Sequence, residues 1–525
     1  MSDNDADVVI IGGGHNGLVA GSYLARSGKK VVLVEASSDL GGMTTSGRFI
    51  DSAPDHIIHP CAVDVIFMRT TSIAKDLELR RHGYRTIETD AAYAYLHADG
   101  SSIVIWRDPE RTASEIRRFS PADADAYLKF TKMLKALLAV GVPVMRTDLS
   151  HPEIGEIRRV LGAVVGNRRQ IGEMVALVVT SAVQAVAERF SHPAVRAALI
   201  GLAAGAGPVE ADGSGMAFLL LGLLHEYGVS RPIGGMQTLV NSLASSFQAS
   251  GGKVFVDSPV AQVLLEGDRA RGVELEDGRV IKAKSVLSTA DPHTTLRDLV
   301  ADGVLDRQTL ARVDHIPANA AGASPFKVDM ALSGLLTIPN HIHPDVDLRH
   351  PVILYGTEDD VVSSFTACTR NELPSNPFMW ACIPTAVDPT QAPVGQDTLY
   401  LYPPAMPARP LRGWKDLSGD AEKLTVERAQ QFIGGIDEFE IGRLTETPEQ
   451  MAARTRAWKG SILHVDFSPL RTGPLRPAWG LGGYRTPIDG LFLGGAGTHP
   501  SGSVTGLPGK LSAARVRRYV DQLAP

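Results

Sequence analysis

The first 35 residues of the chain combine two continuous apolar runs with one helical pattern. Residues 8–11 (VVII) and 31–34 (VVLV) are short and wholly apolar, as strands buried inside a parallel sheet are. Residues 18–26 carry helical apolar spacing, and this pattern ends at Gly28. A strand, a helix and a second strand within about 30 residues predict a single β-α-β unit.

The rest of the chain divides into helical and β-rich stretches. Residues 61–230 are mainly helical, and the helices with the clearest apolar spacing are predicted at 121–140, 172–190, 195–204 and, further on, 236–250. Short β-like runs follow at 254–256, 260–265, 272–275, 279–281 and 286–288, with a hairpin signal at residues 276–278. Residues 300–455 mix strands and helices, and a strand at 491–493 precedes a helix at about 505–523. This alternation predicts an α/β fold.

Composition limits the class of protein and its partners. With 525 residues, 44% of them hydrophobic and 21% charged, the chain is typical of a globular enzyme with two domains. A formal net charge of -6 gives no general attraction to phosphate backbones, so nucleic acid is not an expected partner. The three cysteines lack C-x-x-C spacing, which argues against a disulfide framework. An acidic N-terminus and the lack of a long uncharged apolar run favour a cytoplasmic protein.

A glycine motif lies between the first predicted strand and helix. In Gly12-x-Gly14-x-x-Gly17 the first glycine permits a tight turn, the second lets a pyrophosphate approach the backbone, and the third lets the helix pack closely. The helix N-terminus would then bind the diphosphate through its free N–H groups. Glu35 ends the second strand 18 residues after Gly17, where it can accept a ribose hydroxyl bond and repel a 2′-phosphate. The motif therefore predicts a site for FAD or NAD rather than NADP.

Two further glycine-rich segments favour FAD. Residues 40–45 (LGGMTT) place a second glycine pair near the same strand ends. Residues 494–506 form another strand–loop–helix, whose helix N-terminus suits the electron-rich pyrimidine edge of a reduced flavin. An NAD site needs no such contribution from the last 30 residues, so FAD is the predicted cofactor.

Residues 7–19, 232–237 and 494–500 resemble the phytoene-desaturase-like flavoproteins of the amine-oxidase-type FAD superfamily. Residues 60–64 and 76–79 are most similar to the branch of the desaturase-type carotenoid ketolases and the pyridine nucleotide-disulfide oxidoreductase domain 2 proteins. The resemblance implies an α/β fold with a Rossmann-like, GR2-type FAD-binding domain built from residues 1–60, 230–300 and 455–525. It also implies an inserted mixed α+β substrate-binding domain at 61–229 and 301–454.

The same resemblance implies individual contacts to FAD. Besides Gly17 of the motif, these are Gly12, Gly14, His15, Asn16, Glu35, Ala36, Gly42, Met43, Val260, Gly497, His499 and Val504. The chain departs from the family at Met43, where many members have the arginine of a Gly-Gly-Arg segment. Without that guanidinium we expect backbone N–H groups to offset most of the diphosphate charge, and FAD to bind more weakly.

Three residues are candidates for catalysis. His499 lies in the C-terminal glycine-rich loop, where it could handle a proton or simply order the loop by bonding a carbonyl group. His59 follows His56 at a spacing of three residues, but a third metal ligand is lacking, so a structural role competes with a catalytic one and no metal is predicted. Glu210 lies in a glycine-rich loop that could project a carboxylate into a cavity or form a solvated turn.

The resemblance implies dehydrogenation, desaturation or oxidation of a largely apolar substrate, of a polyene or isoprenoid-like kind. A hydride would pass to flavin N5, and oxygen or a quinone would reoxidise the flavin. An NAD(P)H-fed saturase, a double-bond isomerase and a non-catalytic flavoprotein assembly partner remain alternatives. Arg158, Arg159, Arg168 and Arg169 flank an apolar run at 160–165, a pattern that suits either peripheral membrane contact or a solvated face.

Overall fold

Residues 6–523 are described by a computed structural model. The strands are β1 (Ala6–Ile11), β2 (Val31–Val34), β3 (Thr86–Thr89), β4 (Ala91–Leu96), β5 (Ser102–Trp106), β6 (Val229–Pro232), β7 (Lys253–Phe255), β8 (Val260–Glu266), β9 (Arg269–Leu275), β10 (Val280–Ser288), β11 (Ala323–Ser324), β12 (Lys327–Leu332), β13 (Val352–Tyr355), β14 (Met379–Cys382), β15 (Asp397–Tyr402), β16 (Met406–Pro407), β17 (Glu440–Glu446) and β18 (Leu491–Leu493).

The α-helices are α1 (His15–Arg26), α2 (Ile73–Asp76), α3 (Pro109–Arg117), α4 (Pro121–Met145), α5 (Ile154–Gly166), α6 (Ile171–Val179), α7 (Ala182–Ala187), α8 (Pro193–Ala203), α9 (Leu219–Tyr227), α10 (Gln237–Ala249), α11 (Arg307–Asp314), α12 (Glu358–Thr369), α13 (Pro384–Val387), α14 (Trp414–Gln430), α15 (Ile436–Phe439), α16 (Pro448–Thr455) and α17 (Leu507–Gln522).

One sheet is built from segments that are far apart in the chain. Strands β7, β2, β1 and β10 are parallel neighbours in that order, and β18 also pairs with β10. Strand β10 continues into an antiparallel ladder with β9 and β8. The apolar runs of β1 and β2 are buried, and α1 joins these two adjacent parallel strands. The predicted β-α-β unit is therefore confirmed.

Helices α1, α10 and α17 cover one face of this sheet and share a single apolar core. Phe247 of α10 packs against Gly21, where an added Cβ would lie 2.9 Å from the ring. Helix α17 approaches α1 so closely that a Cβ on Gly509 would lie 2.1 Å from the carbonyl oxygen of Asn16. The last helix is thus packed directly on the first.

A second sheet has the order β17-β12-β15-β14-β13-β4-β5, in which only the β13–β4 pair is parallel. Helices α3, α4 and α6 to α9 pack beside it around a core that includes Tyr127, Phe130 and Phe218. Strand β10 runs without a break where the apolar pattern predicts two strands.

The single helix predicted at 172–190 is wrong. The structure ends α6 at Val179 and begins α7 at Ala182, because the Ser181 hydroxyl caps the second helix by accepting a bond from the Gln184 N–H. None of the helices within residues 6–523 is long and apolar enough to cross a membrane.

Candidate functional site

A cavity of about 1080 Å³ lies at the carboxyl ends of β1 and β2. This is the edge at which parallel sheets bind ligands. Its wall includes residues from the segments that follow β1, β2 and β18, namely Gly12, Gly14, His15, Asn16, Glu35, Ala36, Gly42, Met43, His499 and Val504. Val260 of β8 lines the same space. The structure therefore gathers most of the predicted FAD contacts around one cavity.

The turn between β1 and α1 has the geometry that the glycine motif predicts. Gly12 adopts φ +98°, which favours glycine, and a Cβ on Gly17 would lie 2.1 Å from the carbonyl oxygen of Gly12. Gly14 is the N-cap residue of α1, and the nearest atom to a Cβ placed there is 3.9 Å away. The backbone at Gly14 is thus open towards the cavity at the start of the helix, where N–H groups lack partners.

The carboxylate of Glu35 holds this turn in place. Its Oε2 accepts a hydrogen bond from the Gly13 N–H at 2.6 Å, and its Oε1 accepts one from the Ser37 N–H at 2.9 Å. A carboxylate can accept further bonds through its remaining lone pairs. Glu35 therefore stands beside the helix N-terminus with acceptor capacity left for a ligand hydroxyl.

At the start of α1, His15 and Asn16 line the cavity, and each has a buried polar atom without a hydrogen-bond partner, His15 Nε2 and Asn16 Oδ1. The other ring nitrogen of His15 lies 2.9 Å from Thr44 Oγ1. Burial lowers the pKa of His15 to about 4, so the imidazole is neutral at pH 7. Buried polar atoms are almost always paired, and these two are placed to pair with a polar ligand on the cavity side.

Residues 17–515 match the sequence model of the family described as flavin containing amine oxidoreductase. The chain belongs to this family. It is an FAD-dependent oxidoreductase, and the open helix N-terminus, Glu35 and the two unpaired polar atoms fit the diphosphate and hydroxyl groups of FAD. The predicted family, fold class and cofactor are confirmed.

Relatives of this flavin oxidoreductase span nearly the whole chain. The mouse pyridine nucleotide-disulfide oxidoreductase domain-containing protein 2 is 27% identical over 98% of this chain and 94% of its own length. A neurosporene-forming phytoene desaturase of Cereibacter sphaeroides is 26% identical over 99% and 96% of the two chains. The solved structure of cyclohexylamine oxidase from Brevibacterium oxydans covers 98% of this chain and 100% of its own, with a TM-score of 0.61 at 16% identity. That structure supports the fold alone.

In this oxidoreductase His499 is buried on the cavity wall. Its Nε2 lies 3.1 Å from the carbonyl oxygen of Val144 in α4, and its Nδ1 is buried without a partner. Burial lowers its pKa to about 4, which keeps the ring neutral. The bond to a carbonyl group is the geometry that the loop-ordering alternative requires, while a role in proton transfer remains a prediction.

The other predicted site residues lie off the cavity wall. His59 is buried, with Nε2 2.7 Å from Gln391 Oε1, and Glu210 is exposed on its loop. Gly17 and Gly497 face protein instead, since a Cβ on Gly497 would lie 2.6 Å from Pro292 Cδ. The structure thus brings His499 to the cavity, but neither His59 nor Glu210.

A buried ion pair behind the wall was not predicted from the sequence. Lys327 Nζ lies 3.0 Å from Asp329 Oδ1 and 2.9 Å from the ring centroid of Tyr400, which lines the cavity. The Tyr400 hydroxyl donates to the carbonyl group of Cys61 at 2.9 Å. Desolvation lowers the pKa of Lys327 and raises that of Asp329. Lys327 and Asp329 are two residues apart in β12, so their side chains point to the same face of the sheet. This spacing is the only sequence signal for the pair.

A buried guanidinium organises the C-terminal glycine-rich loop at residues 494–506. Arg476 is fully buried and donates to the carbonyl groups of Ala496 and Thr498 in that loop, and to those of Leu463 and Val465 in the preceding segment. Desolvation lowers its pKa to about 9. No local sequence pattern marks these carbonyl groups as partners, so the role of Arg476 could not be predicted from the sequence.

The part of the cavity away from the glycine turn is mainly apolar. It is lined by side chains of α4, α8, α9 and the second sheet, including Leu137, Leu138, Met145, Leu202, Leu219, Leu220, Leu223, Trp380, Tyr400 and Tyr402. Burial raises the pKa of Tyr402 and Tyr400, so both phenols are neutral at pH 7. This wall offers apolar contact and few charges.

Proposed function

We propose that this FAD-dependent oxidoreductase dehydrogenates or desaturates a largely apolar molecule of a polyene or isoprenoid-like kind. The observation that carries the proposal is the apolar wall formed by α4, α8 and α9, which continues from the FAD segments in the same cavity. The likeness to a phytoene desaturase over nearly the whole chain supports the same substrate class.

The residues of the wall account for binding rather than for acid–base chemistry. The flavin would accept the hydride from the substrate, and oxygen or a quinone would then reoxidise the reduced flavin. Leu219, Leu220 and Leu223 would exclude water and hold an apolar chain by burial, at about 25 cal/mol for each Å² removed from water. His499 stays neutral on the cavity wall, so it adds no charge that an apolar substrate would have to desolvate.

The experiment uses the purified flavoprotein under anaerobic conditions. Its absorption spectrum is recorded after adding a phytoene-like polyene in detergent micelles, and separately after adding NADH or NADPH. We expect the polyene to bleach the flavin and NAD(P)H to leave it oxidised. Bleaching by NAD(P)H would favour the saturase alternative. Product of unchanged mass without bleaching would favour the isomerase.

A variant of the wall makes the test specific. Leu220 is half-buried on the cavity surface, so Leu220→Glu should keep the flavin spectrum but abolish bleaching by the polyene, because the carboxylate makes the wall polar. Leu220→Met, which preserves apolar volume, should retain bleaching. If Leu220→Glu is bleached as fast as the parent protein, the substrate does not lie on this wall.

We also propose that α5 and α6 form a surface for peripheral contact with anionic lipid. Ile154, Ile157, Leu161 and Val165 follow one another along a single side of α5, and Ile154 and Leu161 are 72% and 57% exposed. Helix α5 has no buried residue. The surface is completed by two exposed apolar residues of α6 and by four exposed arginines: Val175, Val179, Arg158, Arg159, Arg168 and Arg169.

The position of this surface supports a link with the substrate. Leu149, just before α5, and Val178 of α6 both line the cavity. Apolar residues beside basic ones are typical of helices that lie in a membrane interface. A substrate dissolved in lipid would then reach the cavity without crossing water.

A further inference from the structure

Residue 43 is methionine where many members of the family have arginine, so another side chain must offset the negative charge of the FAD diphosphate. Gly41 lies against the turn of β1 and α1, since its N–H donates to the Gly13 carbonyl group at 3.1 Å and it forms a bridge with Gly14. Gly42 is just as close, because a Cβ placed on it would lie 3.9 Å from the Gly14 Cα. The segment that lacks the arginine therefore adjoins the helix N-terminus that binds the diphosphate.

A guanidinium reaches this place from another part of the chain. Arg454, near the end of α16, lines the cavity, and its Nη1 lies 3.5 Å from the carbonyl oxygen of Gly42. Arg454 and Gly42 are separated by 412 residues in sequence. We propose that Arg454 supplies the positive charge next to the FAD diphosphate that residue 43 does not.

The contacts of Arg454 leave one edge of its guanidinium available. Its Nε and Nη2 pair with the two carboxylate oxygens of Glu446 in β17, at 2.5 and 2.8 Å. Its Nη1 has only the long contact to Gly42 among the described residues, and the side chain is 31% exposed. The bidentate pair with Glu446 fixes the plane of the group, so Nη1 can donate to a phosphate oxygen at little entropic cost.

The cavity wall offers few other sources of positive charge. Among the wall residues that the structure describes, the cationic side chains are those of Arg454 and Arg456. Arg456 pairs with Glu276 at 3.1 Å, and both of those side chains are about half exposed. A charge in water is strongly screened, whereas a partly buried one is screened much less. Arg454 is therefore the better placed of the two.

The test measures FAD affinity, so its outcome does not depend on whether the proposed substrate is correct. In the full-length protein, the dissociation constant of FAD is followed by the fluorescence of released flavin at low and high salt. We expect Arg454→Ala to weaken FAD about tenfold at low salt, with a smaller difference at high salt. Arg443→Ala is the matched control, because Arg443 of β17 also pairs with glutamates, Glu440 of the same strand and Glu422 of α14, but lies off the cavity wall. It should leave the affinity unchanged.

A rescue variant separates charge from folding. Met43→Arg restores the guanidinium on the segment next to the helix N-terminus, so Met43→Arg combined with Arg454→Ala should recover most of the lost affinity. Arg454→Gln removes the charge but keeps a hydrogen-bond donor for Glu446, so it should weaken FAD by a similar factor, and it gives the answer if Arg454→Ala fails to fold. Unchanged affinity in a folded Arg454→Ala or Arg454→Gln protein would overturn the proposal.

Discussion

Gly14 and Gly17 stand three residues apart in one turn, yet alanine should act differently at the two positions. At Gly14 a Cβ meets no protein atom closer than 3.9 Å, while at Gly17 it would lie 2.1 Å from the carbonyl oxygen of Gly12. The first position faces the cavity and the second faces the backbone. One substitution therefore tests the site and the other tests the fold.

We expect Gly14→Ala to fold normally and to bind FAD at least about tenfold more weakly, because its methyl group takes the space of the diphosphate. Gly17→Ala should lower the free energy of unfolding by about 1–3 kcal/mol or more, because the backbone must move. Thermal unfolding of the FAD-free protein and FAD titration separate the two effects. Normal FAD affinity in Gly14→Ala would contradict the assignment of this turn.

His59 should make the protein sensitive to acid. Burial lowers its pKa from 6.5 to about 4, so below pH 6.5 the unfolded chain binds a proton that the folded chain does not. Its contribution to stability is fully present above pH 6.5 and is lost as the pH falls towards 4. In His59→Gln, denaturant unfolding between pH 6 and 4.5 should show a slope shallower by up to about 1.4 kcal/mol per pH unit. Equal slopes would mean that another group takes up the proton.

At the scale of single residues, the sequence was sufficient to predict roles that depend on residues nearby in the chain. Gly12 and Glu35 were predicted because a turn, a helix start and a strand end lie within one short segment. Arg454 was missed because its partner Gly42 is far away in the chain, and because nothing local marks either one. The opposite difficulty arises at Glu210, which was a candidate but is exposed. A glycine-rich loop has the same sequence pattern whether it faces a cavity or water.

Among the elements, α5 was the hardest to interpret from its pattern alone. Apolar spacing normally marks the face of a helix that packs into the core, but here that face is exposed. The sequence contains the apolar side and the arginines, whereas only the structure shows that nothing within the described residues covers them. The break between α6 and α7 has a local cause instead, because the capping Ser181 interrupts an apolar pattern that continues on both sides.

The proposed contact of α5 and α6 with lipid predicts binding to anionic vesicles. Leu161→Glu should reduce co-sedimentation with vesicles of phosphatidylcholine and phosphatidylglycerol by about tenfold, because a charge replaces apolar contact. Exchanging Arg158 and Arg159 for serine should weaken binding only when anionic lipid is present. Val394→Glu, at an exposed apolar residue on a loop outside α5 and α6, serves as the control and should bind like the parent. If the parent protein binds neither these vesicles nor vesicles of phosphatidylcholine alone, the surface does not contact lipid.

In the whole molecule, the contact between α1 and α17 joins the beginning of the chain to its end. Gly509→Ala should lower the free energy of unfolding by about 1–3 kcal/mol, since its Cβ would lie 2.1 Å from the Asn16 carbonyl oxygen. Gly419→Ala, in α14 with open space around it, should instead stabilise by about 0.5–1 kcal/mol. Denaturant unfolding measures both. Equal effects would show that α17 is not held against α1.

The overall architecture was predictable mainly because the FAD segments at both ends and in the middle share motifs with a known family. Their pairing in one sheet does not follow from apolar patterning, which cannot specify that Ile10 and Phe492 flank the same residue, Leu287. The second sheet, with strands β4, β5 and β12 to β17, was predicted only as a mixture of strands and helices. The division into domains near residues 60, 230, 300 and 455 remains a prediction.

The position of β18 in the first sheet has a consequence for how the protein is made. A ribosome adds about 5–20 residues per second, so β1 is synthesised roughly half a minute to a minute and a half before β18. Until then β10 lacks its last neighbour, and the apolar faces of α1 and the sheet lack α17. The nascent chain therefore keeps apolar surface exposed during this interval, and the cavity lacks the part of its wall that His499 and Val504 form until the segment after β18 has been made.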